Sequence, residues 1–143
     1  MRPCVRPGRT MRYRNMEALA LPVEVPILTC SRCSAEVLDA ETQSILAPLL
    51  REAYQDTLRR RVRRAIDKLM PCISQYRLER LLGLSQGYLS RLRSGAGNPS
   101  SELVSHLAIL AKDPRVRIEE LQRYWAEADS VNPAASSMQE DSK

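Results

Sequence analysis

The chain has 143 residues, enough for one ordinary domain or two small ones, and its 22 Lys and Arg against 17 Asp and Glu leave a formal charge of +5. With no Phe and a single Trp, any core must be aliphatic. The apolar run nearest the N-terminus, Ala18 to Val23, is short, contains Pro22 and meets Glu24 at once. It fits neither a signal peptide nor a spanning helix of about 20 residues, so a cytoplasmic chain is expected.

Residues 1–38 are rich in proline, and Pro22 and Pro26 flank Val23-Glu24-Val25. That alternation ahead of Ile27-Leu28-Thr29 predicts short extended segments rather than helix. Directly after them, Cys30-Ser31-Arg32-Cys33 places two thiols on a turn. In a reducing compartment such a pair is more often a metal site than a disulfide, and two thiolates at this spacing are half of a tetrahedral zinc site, with Zn–S bonds of about 2.3 Å. Cys4 is the candidate third ligand. The fourth is missing, because the single histidine, His106, falls on a helix of the other domain. Cys72 is expected to be a buried small apolar residue. A redox role for the pair has no thioredoxin-type βαβ pattern around it.

At Asp39 the character changes. Asp39 can cap a helix, and Ile45, Leu46, Leu49, Leu50, Tyr54, Leu58, Val62, Ile66 and Leu69 recur at helical intervals up to Met70. Pro48 lies inside this run, and a break is expected near Gln55 to Arg59. Residues 39–58 then form a connecting helix, and 59–128 a second domain whose first helix is the remainder. Between Arg51 and Arg93 stand eleven cations against four acids, densest in Leu58-Arg59-Arg60-Arg61-Val62-Arg63-Arg64. Such a run is either a solvated helix face or a surface for phosphates.

The segment from Ser74 to Gly95 reads as two short helices joined by a turn. Leu78, Leu81 and Leu82 give the first an apolar face. Gly83 suits a left-handed exit, Leu84 can plug the turn into the core, and Ser85 is the expected N-cap of the second helix. There Leu89 and Leu92 point inward, leaving Gln86, Gly87, Ser90, Arg91 and Arg93 outside until Gly95 ends the helix. After the loop Ala96-Gly97-Asn98-Pro99, Ser100 or Ser101 caps a helix through Leu103, Leu107 and Leu110 that ends near Asp113-Pro114. A last helix is expected from about Ile118 to Ala126, and the polar residues 129–143 read as disordered.

Ser74-Gln75, Leu78, Leu81, Gly83-Leu84-Ser85, Leu89-Ser90 and Gly95 resemble the pattern of the Xre/Cro-type helix-turn-helix. The stretch Leu21 to Glu36 resembles the second half of a YgiT/MqsA-type zinc finger, a family that joins such a finger to an Xre-type module in this order. Together the resemblances cover roughly residues 4–114. In the second knuckle Ser34 replaces the usual glycine while Glu36 fits. In the first, if Cys4 is the leading cysteine, Pro7 stands where the second belongs and Gly8 matches the glycine after it. If Cys4 is the second, the first falls on Met1 and the start lies upstream. Zinc is then structural, held by Cys4, Cys30, Cys33 and a water or carboxylate, or the module is a metal-free remnant.

The resemblance implies a mainly α fold: an Xre/Cro-like helical bundle behind a small β-containing zinc-finger-like module. It implies a sequence-specific DNA-binding regulator, a repressor acting as a homodimer on double-stranded DNA. By analogy Gln75 and Arg77 contact phosphates, Gln86, Gly87, Ser90 and Arg91 face base edges, Arg93 and Ser94 return to phosphate, and Ser85 belongs to the same DNA-binding set. Tyr88 either fills the core or stacks on the backbone edge. Leu121, Tyr124 and Trp125 are candidates for the dimer surface, with packing inside the chain as the competing role. The alternative function is an antitoxin that neutralises a toxin partner and represses its own operon, as MqsA-type proteins do. No Gly-rich phosphate loop or Ser/His/Asp set is present, and adjacent acids such as Glu119-Glu120 point apart on a helix, so catalysis is not expected.

Overall fold

The computed structural model describes residues 1–128; the tail expected to be disordered, 129–143, lies outside the described residues. The fold is mixed, with five helices behind small antiparallel sheets at the N-terminus. Strands β1 (Arg2–Cys4), β4 (Ile27–Thr29) and β5 (Glu36–Val37) form a three-stranded sheet in the order β1-β4-β5. Strands β2 (Thr10–Tyr13) and β3 (Met16–Ala20) form a separate hairpin. The helices are α1 (Ala40–Leu69), α2 (Gln75–Leu82), α3 (Tyr88–Arg93), α4 (Ser101–Leu110) and α5 (Pro114–Ala126). No described helix is long and apolar enough to cross a membrane.

Helix α1 organises the molecule. Asp39 caps it, its carboxylate accepting from the Thr42 amide at 2.8 Å, and hydrogen bonding from the Thr42 hydroxyl and then its amide holds the Asp39 pKa below the ordinary carboxylate value. The expected break near Gln55 to Arg59 does not occur. Tyr54, Leu58, Val62 and Ile66 follow one another at four-residue spacing and are all buried, so one continuous stripe rewards one continuous helix. Pro48 is accommodated within it. At 30 residues the helix is roughly 45 Å long and threads two apolar clusters. Near its start Leu46 packs with Val25 and Ile27; further on Ala53, Tyr54 and Leu58 meet Met16 and Leu19; its last turns meet Leu78, Leu89, Val104 and Leu107.

The β2–β3 hairpin is fixed to α1 by aromatic and polar contacts. Tyr13 meets Tyr54 edge to face at 5.5 Å, and the Tyr54 hydroxyl donates to Asn15 Oδ1 at 2.9 Å. Arg14, at the turn with φ 51°, lays its guanidinium over both rings, 5.4 and 5.2 Å from their centroids.

Two local expectations are corrected. Cys72 is exposed, because Ile73 takes the inward position at the α1–α2 turn. Helix α5 starts four residues early: Pro114 opens it at the first helical position, where a missing N–H costs nothing, rather than closing α4. Ser100 caps α4 as expected, accepting from Leu103 N at 3.2 Å.

Candidate nucleic-acid interface

Helix α2 begins at Ser74, whose hydroxyl accepts from the Arg77 amide, and buries Leu78 completely. It ends in a Schellman turn. Gly83, at φ 68°, donates to Arg80 O at 3.2 Å while Leu84 N donates to Glu79 O at 2.8 Å. Leu84 turns toward the core, as the sequence suggested. Helix α3 ends the same way: Gly95 N donates to Leu92 O and Ala96 N to Arg91 O, at 3.1 and 2.9 Å, with Gly95 at φ 89°.

The link between α2 and α3 is a buried acid. Glu79 is only 2 % exposed, accepting from Gln75 Nε2 at 2.8 Å through one carboxylate oxygen and from Gly87 N at 2.7 Å through the other. In the sequence Glu79 is merely one of four acids in a basic block. Its place beside Leu78 and four residues after Gln75 was the available signal. This bond also explains why Ser85 is not the N-cap of α3. The helix begins three residues later, at Tyr88, with Gly87 as its cap at φ 83°. Glu79 takes the Gly87 amide as the acid of a capping box takes its cap N–H, and the Ser85 hydroxyl is left exposed.

Along the outer surface of α3 and its approach, Gln86, Ser90 and Arg91 are exposed. Arg91 lies over the half-buried Tyr88 ring at 5.9 Å, and Tyr88 packs against the core, which settles its position as partly a core residue. Other residues expected at a DNA surface are engaged within the chain. Arg93 pairs with Asp67 of α1 at 3.0 Å, and its carbonyl accepts from Arg63 Nε at 3.1 Å. Ser94 donates to Arg91 O at 2.8 Å. Arg59 bonds Asp56 at 2.7 Å and reaches Gly97 O and Asn98 in the loop after α3. One flank of the basic stretch of α1 therefore braces both α3 and the loop that follows it. Arg77 is exposed on α2.

At the other end, Cys30 and Cys33 sit on one tight turn. Ser34 N donates to Cys30 O at 3.0 Å and Cys30 N to Ala35 O at 2.8 Å. Ser34 adopts φ 60° where a glycine is usual, and Gly8, after Pro7, adopts φ 71°. Amide donation from Cys33 and Arg32 holds the Cys30 thiol below its ordinary pKa. Cys4 pairs with Ile27 across the sheet, so the β1–β4 register leaves it three positions from Cys30, about 10 Å along the strands. Cys30 and Cys33 thus share one turn, and the strand register carries Cys4 away from them. Among the described residues no three His, Cys, Asp or Glu side chains converge as a metal-binding group.

Among the described residues Tyr124 and Trp125 stay 63 % and 64 % exposed, their rings meeting at 4.9 Å, whereas Leu121 packs on the core. Trp125 borders a groove of about 640 Å3 lined by Tyr76, Leu81 and Leu82. Its other side faces a second groove with His106, Ile109 and Leu121. No protein-family model, curated protein or solved structure matches the chain.

Proposed function

We propose that the chain is a sequence-specific DNA-binding regulator of the cytoplasm, a repressor that acts as a homodimer with α2 and α3 as its helix-turn-helix. The observation that carries this reading is the outer surface at α3. Gln86, Ser90 and Arg91 are exposed there, on a helix whose start is fixed by Glu79 and whose end is fixed by Arg63. A helix about 10–12 Å across with its side chains matches a major groove about 12 Å wide. Gln and Arg carry the donor geometry that discriminates adenine and guanine. Gln75 and Arg77 at the start of α2 meet the flanking phosphates, Arg77 as a free cation and Gln75 through the amide hydrogen that Glu79 leaves unused. Because Arg93 Nε is tied to Asp67, its part is a phosphate contact through its remaining guanidinium N–H groups rather than base reading.

One such module buries too little surface for strong specificity, and the exposed Tyr124-Trp125 pair supplies an apolar face for a second copy. The test is a gel shift on the DNA upstream of the protein's own gene, with scrambled DNA as competitor and a salt series. Preferential binding to the upstream fragment is expected. Weak binding, equal on both DNAs and abolished by salt, overturns the proposal.

A further inference from the structure

The basic stretch of α1 has two flanks, and only one of them braces α3. On the other, Arg61, Arg64 and Lys68 stand along one edge of the helix and, with Lys112 at the end of α4, line a groove of about 300 Å3. All four are exposed. Ala65 and Ala108 leave its floor shallow, and no Asp or Glu lines it. Seven ion pairs occur among the described residues, and none involves these four cations. Four like charges line one cleft, and among the described residues no carboxylate pairs with any of them.

We infer that this groove between α1 and α4 is a docking site for an acidic amphipathic helix of a partner protein. Charge complementarity sets the sign of the ligand, and spacing sets its form. Arg61, Arg64 and Lys68 fall at i, i+3 and i+7, spanning about 10.5 Å of helix axis, the same interval at which an acidic helix repeats carboxylates along one face. The alanines let a second helix approach closely, as in other helix-in-groove recognition. Single-stranded nucleic acid is disfavoured, because no aromatic side chain lines the groove to stack a base. Three of the four cations stand in one row on α1 with Lys112 alone on the opposite wall, and the duplex comparison below separates an acidic helix from nucleic acid.

The test is fluorescence anisotropy at low salt on the full chain. The probe is a labelled Ala-based helical peptide of about twelve residues with Glu at i, i+3 and i+7 spacing. The comparison ligands are the same composition scrambled and a non-operator duplex of about 20 base pairs. The triple change Arg61→Gln, Arg64→Gln, Lys68→Gln is expected to weaken the patterned peptide roughly tenfold or more, and the equal charge loss Arg2→Gln, Arg32→Gln, Arg51→Gln less than about twofold. Lys112→Gln, a single exposed change on the opposite wall, is expected to weaken it about threefold and decides the matter if the triple variant does not fold. Absence of binding, equal binding of the scrambled peptide, or equal loss in both triple variants overturns the inference. So does a duplex that binds and loses affinity only with the groove variant, which assigns the groove to nucleic acid.

Discussion

Replacing Glu79 tests the joint on which the candidate surface depends. Glu79→Ala removes an acceptor for two hydrogen bonds, one from Gln75 Nε2 at 2.8 Å and one from Gly87 N at 2.7 Å. Bonds to a charged acceptor contribute about 1.5–3 kcal/mol each, and removing a buried carboxylate returns part of its desolvation cost. The expected net loss is about 2–4 kcal/mol, a fall in Tm of roughly 8–15 °C for a chain of this size. Glu79→Gln should cost much less, about 1 kcal/mol, because Gln75 can flip its amide and accept from the new side chain while Gly87 keeps an acceptor. Urea denaturation followed by far-UV circular dichroism gives both values. Operator affinity is expected to fall further in Glu79→Ala than the unfolded fraction explains, since the start of α3 loosens. If Glu79→Ala lies within about 0.5 kcal/mol of the parent, or Glu79→Gln is the worse of the two, the acid does not fix the joint.

Gly87→Ala puts a side chain at φ 83°, 3.9 Å from an Arg91 guanidinium nitrogen. A loss of about 1 kcal/mol with weaker operator binding is expected, and unchanged stability in a thermal melt would refute the strain at this cap. Arg91→Ala should relax preference at one base position by about 1–3 kcal/mol, while Arg93→Ala should weaken all sequences alike; binding to an operator library separates them, and the opposite pattern refutes the assignment. Trp125→Glu is expected to convert dimer to monomer in sedimentation velocity with the far-UV spectrum unchanged; a dimer that persists places the interface elsewhere. Cys30 should be alkylated by iodoacetamide at lower pH than a free cysteine in solution, because its lowered pKa supplies more thiolate near neutrality; coincident pH profiles would contradict that. The Asp39 cap contributes fully above the unfolded carboxylate pKa and is lost as pH falls through its lower folded value. Asp39→Ser should therefore flatten the acid limb of stability, and an unaltered limb excludes the cap as a contributor.

What the sequence made legible was local chemistry. Asp39 and Ser100 cap helices as side-chain type and spacing imply, and Gly83 and Gly95 end helices at positive φ. Most apolar positions of α1 through α4 were readable from period, but Ile45 of the expected stripe is exposed and the buried Val104 was not singled out. Ser85 was misread because its local fitness as a cap is overridden by Glu79, six residues earlier, which fixes the Gly87 amide instead. The β2–β3 hairpin was hidden because Arg14-Asn15 has no glycine, and its stability comes from Tyr54, 39 residues away from Asn15. The division of the basic run into a bracing flank and a free one depends on where α3 and α4 pack, which no helical wheel of α1 specifies. Cys4 was grouped with Cys30 and Cys33 by count; strand register separates them.

The length of α1 has a consequence for how the molecule comes apart. Leu50 touches both apolar clusters, so the N-terminal sheets and the helical bundle share one rod rather than meeting across a flexible joint. A chain shortened to begin at Asp39 would leave Leu46 and Leu49 without cover and strip Leu50 of one of its two clusters, and the first three turns would fray toward Ala53. Amide exchange should then rise along residues 40–52 while Val62, Ile66 and Leu69 stay protected. Equal protection along the whole rod would show that its leading half is self-supporting. The small proline-rich segment is thus a sheath that keeps the leading half of the rod wound.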